Sequence, residues 1–161
     1  MSAALLTLND IEFRWPGEAE ACLEIAEFSV AAGEQVFIHG ESGSGKSTLL
    51  NLIAGVLTPQ HGSIVALDQS LSALSAAARD RFRVDHIGLI FQQFNLIPYL
   101  SVLDNVLLPC RFSPRRAARA VARDGSAEAS ARSILATMGL AGDVLRRPAG
   151  RLSVGQQQRV A

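Results

Sequence analysis

Lysine is nearly absent from this chain of 161 residues: Lys46 is the only one, and the other fourteen basic residues are arginine. Tryptophan and tyrosine occur once each, methionine and cysteine twice. Net charge is absent as well, with 15 basic residues against 15 acidic ones. That balance excludes a global attraction to nucleic acid or to an anionic surface, so any such contact is local and no nucleic-acid partner is expected. Cys22 and Cys110 lie far apart, without C-x-x-C or Cys/His ligand spacing. The pattern speaks against a disulfide framework or a structural metal and for a reducing compartment. No run approaches the roughly 20 apolar residues of a membrane-spanning helix. Met1–Asp10 has neither the basic flank nor the long apolar centre of a secretion signal.

With 48% apolar and 19% charged residues, the chain has enough apolar material for one α/β unit with a sizeable core. Leu6, Leu8, Ile11, Phe13 and Trp15, then Leu23, Ile25, Phe28 and Val30 beyond the Pro16-Gly17 turn, alternate as strands of an antiparallel sheet. Val36–His39 reads as a short buried strand, followed by a helix from Lys46 that Thr58-Pro59 stops. Gly62–Leu67 is a further strand, Leu74–Phe82 a helix, and Ile87–Phe91 a strand buried on both faces. Beyond Pro109 the composition turns to Ala- and Arg-rich helix. Ser113-Pro114 supplies cap and first turn. A second helix after Asp124-Gly125-Ser126 sets Ala131, Ile134, Leu135 and Met138 on one face and stops at Gly139. His39, His61 and His86 fall at a strand end, a turn and a strand start, where a structural role is expected.

Gly40-Glu41-Ser42-Gly43-Ser44-Gly45-Lys46-Ser47 matches G-x-x-x-x-G-K-[ST] without a mismatch, between a strand and a helix as that motif requires. The glycines let successive N–H groups turn inward toward phosphate oxygens, and the following helix presents its positive end to the same anion. Lys46 is placed to reach the β- and γ-phosphates, and Ser47 to offer its hydroxyl to magnesium. The plainer alternative is a Gly/Ser turn before a helix. The lone lysine argues against it, because a compact ammonium stands at the one place where a point charge fits among phosphates.

Leu152-Ser153-Val154-Gly155-Gln156-Gln157-Gln158-Arg159-Val160-Ala161 resembles the L-S-G-G-Q signature of ABC transporter ATP-binding subunits and its Q-Q-R-V-A continuation. Ile90–Leu96 resembles the same family's Q-loop, and Phe13–Gly17 the segment whose aromatic stacks on adenine. The wording of Phe91–Pro109 looks most like the lipoprotein-release and macrolide-export branch. This resemblance implies a P-loop NTPase core with an N-terminal antiparallel β part (1–34), a P-loop part (35–92), and a helical part carrying Q-loop and signature (93–158). It implies ATP and Mg2+ as ligands, with Trp15, Gly40 to Thr48, Gln92, Ser153, Gly155 and Gln156 at the nucleotide and Ser47 and Gln92 at the metal. Gln92 is the expected catalytic contributor. It further implies a head-to-tail pair of ATP-binding subunits and a permease docked on Phe94–Pro109, at the cytoplasmic face of the membrane.

Two departures stand out. Val154 replaces the first glycine of the signature pair; either its backbone is ordinary or the site is weakened. In the family, the core strands bearing the Walker B aspartate and the catalytic glutamate follow the signature, so hydrolysis by these 161 residues alone is not expected. A non-hydrolysing or regulatory nucleotide-binding module is the alternative. Ile64–Asp68 mimics an apolar strand ending in a magnesium-side aspartate, but the strand entering a turn is the favoured reading, because the resemblance assigns a non-catalytic strand here. Arg115, Arg119 and Arg123, with Arg111 and Arg116, form a basic helical stripe: either a solvated face or a contact for lipid headgroups or a transmembrane subunit.

Overall fold

The computed structural model describes residues 4–161, so the first three residues of the Met1–Asp10 stretch lie outside it. Two compact units are present, Met1–Arg83 and Val84–Ala161. The first is built on an antiparallel sheet. Strand β1 (Ala4–Phe13) lies between β2 (Leu23–Ala31) and β3 (His61–Ala66), and β4 (Gln69–Ser70) extends the sheet in the order β2-β1-β3-β4.

The alternation along β1 breaks between Leu8 and Ile11, both buried, and the cause is local. Asp10 takes a φ of 49°, and the β1–β3 register shifts between Asn9 and Glu12. This bulge moves the apolar set by one residue and keeps Ile11 and Phe13 on the core face. Gly62 lies against it with φ 86°. A Cβ there would come within 2.4 Å of the Asn9 and Asp10 carbonyl oxygens, so only glycine fits. The strand resembling a Walker B element ends in a hairpin: Leu67 and Asp68, with φ of 50° and 62°, turn the chain into β4. Asp68 is exposed and serves that turn.

Helix α1 (Lys46–Ile53) buries Thr48, Leu49 and Leu52. It ends well before Pro59, because Ala54 caps it and Gly55 turns to a φ of 67°. The expected stop at Thr58-Pro59 is therefore corrected to a glycine stop. Helix α2 (Ala76–His86) buries Phe82 and starts two residues later than the sequence suggested, after a 3-10 turn at Leu71–Ala73.

Two expected strands are absent. Val36–His39 and Ile87–Phe91 have no strand partner among the described residues and are irregular. Phe37 is 88% exposed and Ile90 87%. Apolar composition marks a segment as suited to a buried strand, but the strand exists only where a neighbour takes up its N–H and C=O groups.

The second unit is helical: α3 (Val102–Phe112), α4 (Pro114–Asp124), α5 (Ala127–Thr137) and α6 (Val154–Val160). Each has a serine at its N-cap, and Ser101, Ser113, Ser126 and Ser153 accept from the N–H of Asp104, Arg116, Ala129 and Gln156 respectively. Caps of this kind contribute about 1 kcal/mol each. Val102, Leu135, Leu140, Leu145 and Leu152 form the core, with Leu103, Val106, Val144 and Val160 packed against it. On α5, Ala131 and Leu135 are buried, whereas Ile134 and Met138 are exposed, so the apolar face is narrower than its spacing suggested.

The basic stripe is a solvated face at Arg111, Arg115, Arg119 and Arg123 and departs from it at one residue. Arg116 turns inward and donates to the carbonyls of Val84 (2.5 Å) and Ile87 (2.7 Å), beside a Ser113–Asp85 hydrogen bond of 2.5 Å. Arg111 pairs with Asp104, and Arg123 with Asp124 and Ser130. Arg115 and Arg119 stay exposed. A guanidinium on a three-carbon stem follows the nearest acceptors rather than the helical period.

Gly62→Ala is expected to destabilise the first unit by about 2 kcal/mol or more, through forced positive φ and the carbonyl clash; chemical denaturation checks it. The Arg123 hydrogen bond, followed by that of Ser130, holds the Asp124 carboxyl below its ordinary value of 3.8. Its folded pKa is depressed, so its contribution is present above that value and lost as pH falls through the folded one. A carboxyl titration by NMR should find Asp124 below its ordinary value of 3.8, and Arg123→Ala should raise it toward that value.

Candidate nucleotide site

The segment Gly40–Gly45 has no regular structure and leads directly into α1. Gly43 and Gly45 take φ of 86° and 84°, conformations costly for any residue with a Cβ. At Gly40 the demand is space: a Cβ would stand 2.6 Å from Ser44 Oγ. At Gly45 it would press on Leu23 Cδ1 at 3.1 Å and the Cys22 carbonyl at 3.4 Å, so the start of β2 backs the loop. Lys46 Nζ donates to the carbonyls of Gly40 (2.8 Å) and Glu41 (2.5 Å) and lies 3.3 Å from Ser44 Oγ. The ammonium thus closes the loop into a ring whose centre is positively charged. Gly40 to Ser44 and Ser47 are exposed, and Thr48 is buried with its hydroxyl 3.8 Å from Cys22 Sγ. Thr48 belongs to the packing beneath the loop.

The donor set suits a polyphosphate. One cation, two serine hydroxyls and a run of small residues converge on a strand-free bend at a helix start. The Ser47 hydroxyl, exposed beside Lys46, has the chemistry of a hard-cation ligand. Trp15 is 43% exposed and meets the Phe13 ring edge-on at 5.1 Å. Phe13 is core; Trp15 keeps a face available, the condition for stacking.

In the second unit Gln92, Gln93, Phe94, Asn95, Leu96 and Pro98 line one side of a cleft of about 370 Å³, with Ala149, Gly150 and Gln157 on the other. The Q-loop-like segment and the signature-like helix therefore share one concavity. Ser153 opens α6 with a capping box: its Oγ accepts from Gln156 N–H at 3.3 Å, and Gln156 Oε1 accepts from Ser153 N–H at 3.1 Å. Val154 is 71% exposed and is not among the positive-φ residues, so its backbone is ordinary. Of the two alternatives raised by the missing glycine, the ordinary backbone is the one observed. Gly155 has open space where a Cβ would project.

The sequence reading missed Asn105, a buried amide on α3 that bonds Ile97, Leu100 and Ser101. The available signal was an asparagine among the apolar residues Val102, Val106 and Leu107, where it needs several partners. It also missed Gly150, whose Cβ would lie 3.1 Å from Pro98 Cβ and 3.2 Å from its carbonyl oxygen. Among the described residues no group of histidine, cysteine and carboxylate side chains could hold a metal ion by itself. No described helix is long and apolar enough to cross a membrane.

Residues 23–161 match the family model for the ABC transporter. The whole chain is 41% identical to part of the macrolide export ATP-binding/permease protein MacB of Chromobacterium violaceum, covering 24% of that protein. Over 86% of its length it is 40% identical to the lipoprotein-releasing system ATP-binding protein LolD of Chromohalobacter salexigens, covering 55% of it. The dimeric ATP-binding cassette MJ0796, solved in a post-hydrolysis state with ADP and Pi, superposes on 96% of the chain with a TM-score of 0.80 and 32% identity. Of MJ0796 itself, 66% is covered. The chain thus spans roughly a quarter to two thirds of these relatives. Loop, cleft, signature-like helix and these likenesses agree: the chain belongs to the ABC transporter family and has the α/β fold of its ATP-binding cassettes.

Proposed function

We propose that this chain binds Mg-ATP through Gly40, Glu41, Ser42, Gly43, Ser44, Gly45, Lys46 and Ser47, with Thr48 supporting the loop from beneath. In the complete protein this binding energises a transmembrane permease. The observation that carries the reading is the Lys46 ammonium locked onto the Gly40 and Glu41 carbonyls. It holds a fixed positive charge inside a ring of backbone that glycine alone allows. A triphosphate entering that ring would draw the ammonium's N–H groups from the Gly40 and Glu41 carbonyls onto its own oxygens, exchanging neutral acceptors for charged ones. Bound magnesium would neutralise charge on the phosphate oxygens, and the Ser47 hydroxyl is the group here that would hold it.

The remaining assignments follow from the same reading. Trp15 offers its exposed face to adenine. Gln92, exposed at the mouth of the cleft, is the expected contributor to magnesium and water positioning. Ser153, Gly155 and Gln156 serve the nucleotide held by a second subunit, as the dimeric MJ0796 cassettes suggest by analogy. Phe94–Pro109, with Tyr99 79% exposed beside the cleft, is the surface for the permease. MacB is named as an ATP-binding/permease protein, which supports a permease in the same polypeptide or the same complex. Such a partner places the protein at the cytoplasmic face of the membrane.

Lys46→Ala in the full-length subunit should weaken ATP binding by about tenfold or more, the loss of a charge-assisted contact; titration with a fluorescent ATP analogue reads it. Undiminished binding would overturn the assignment. In the same titration Asp68→Ala should leave affinity within about twofold, since Asp68 turns a hairpin.

A further inference from the structure

The one buried side-chain amide of the helical unit, among the described residues, has a task that the nucleotide site does not explain. Asn105 is 8% exposed on α3. Its Oδ1 accepts from Ile97 N–H at 2.8 Å, while its Nδ2 lies 3.1, 3.3 and 3.0 Å from the carbonyl oxygens of Ile97, Leu100 and Ser101. A primary amide has two N–H groups, so the three carbonyls share two protons. Ile97 is matched in both directions, N–H to side-chain oxygen and C=O to side-chain N–H, as across a β-ladder. Aspartate would keep the acceptor and lose the donors. Leucine would keep the approximate shape and lose both.

The turn held this way is tied onward through backbone. Val102 N–H donates to Arg147 C=O at 3.0 Å, Ala149 N–H to Leu100 C=O at 2.8 Å, and Gly150 N–H to Pro98 C=O at 2.9 Å, around an antiparallel bridge of Ser101 with Pro148. The approach of Gly150 to Pro98 is close enough that a Cβ there would press on the Pro98 ring at 3.1 Å and its carbonyl oxygen at 3.2 Å. On its inner side the turn supplies Leu96 and Pro98 to the cleft; on its outer side it carries the exposed Tyr99.

We infer that Asn105 is the positioning residue of the permease surface: its amide holds the Ile97–Ser101 turn in the conformation that shapes the cleft and presents Tyr99. The inference rests on the proposed docking of the permease at Phe94–Pro109. Asn105 itself is buried and touches neither nucleotide nor partner. It acts by keeping a short segment of backbone from relaxing toward solvent, where its carbonyls would otherwise find water.

The test uses the full-length ATP-binding subunit with its permease in proteoliposomes, comparing wild type, Asn105→Leu, Asn105→Asp and Tyr99→Cys. Asn105→Leu should lower the permease-coupled kcat about tenfold or more, as expected for a misplaced contact surface, with KM for ATP unchanged within about twofold. A general loss of structure would move both constants. By hydrogen exchange, the Ile97 amide should lose its protection in Asn105→Leu, which removes its acceptor. Where Asn105→Leu accumulates poorly, Asn105→Asp carries the test: its second carboxylate oxygen faces the three carbonyls in place of the amide N–H groups, and the same split between kcat and KM is expected. Cross-linking from Tyr99→Cys to the permease separates the two readings. No cross-link overturns the docking surface and the inference with it; a cross-link together with undiminished coupled kcat in the Asn105 variants overturns the inference alone.

Discussion

A peptide group withdrawn from water needs a hydrogen-bond partner, and where this chain finds those partners decides which of its apolar segments become structure. β1 finds them on both sides, in β2 and β3, and becomes the centre of a sheet. Val36–His39 and Ile87–Phe91 are as apolar but find none among the described residues, and Phe37 and Ile90 stand in solvent. Hydrophobic burial supplies most of the driving force, but it cannot act on a strand whose backbone is left open.

The same constraint shapes the functional elements, with side chains acting where backbone partners are lacking. Lys46 takes up the carbonyls of the phosphate loop. Arg116 takes up those of Val84 and Ile87. Asn105 takes up the Ile97–Ser101 turn, and four serines take up the first N–H groups of the helices. Each cationic or amide group sits at an irregular segment next to a helix start or end. The loops are therefore ordered without strands of their own. Sites built on such segments gain backbone donors pointed at a ligand and keep the freedom to move when a partner changes the balance.

Much of the site was legible because its motif depends on residue type at fixed spacing. Gly40, Gly43, Gly45 and Lys46 have roles that no other residue fills, so their pattern survives without tertiary context. The serine cap was equally plain at Ser113, where cap, proline and helix are contiguous. Of the basic stripe, Arg111, Arg115, Arg119 and Arg123 stay on a solvated face as their spacing suggested, and only Arg116 departs, recruited by the carbonyls of Val84 and Ile87. Ile134 and Met138 misled: a helical period gives a face, while the width buried is set by what packs on it.

The sequence alone determined the phosphate loop, the family and the starts of α1, α4 and α5, since these rest on local chemistry: φ restrictions, a solitary ammonium and turn or capping residues next to the helix. The tertiary structure alone decided which apolar runs pair into strands, that Asp68 turns a hairpin, that Val154 keeps an ordinary backbone, and that Asn105 and Gly150 fix one turn. These depend on partners distant in the chain, such as Gly62 against Asn9 and Asp10 or Gly150 against Pro98. Residue spacing carries no distance between such pairs.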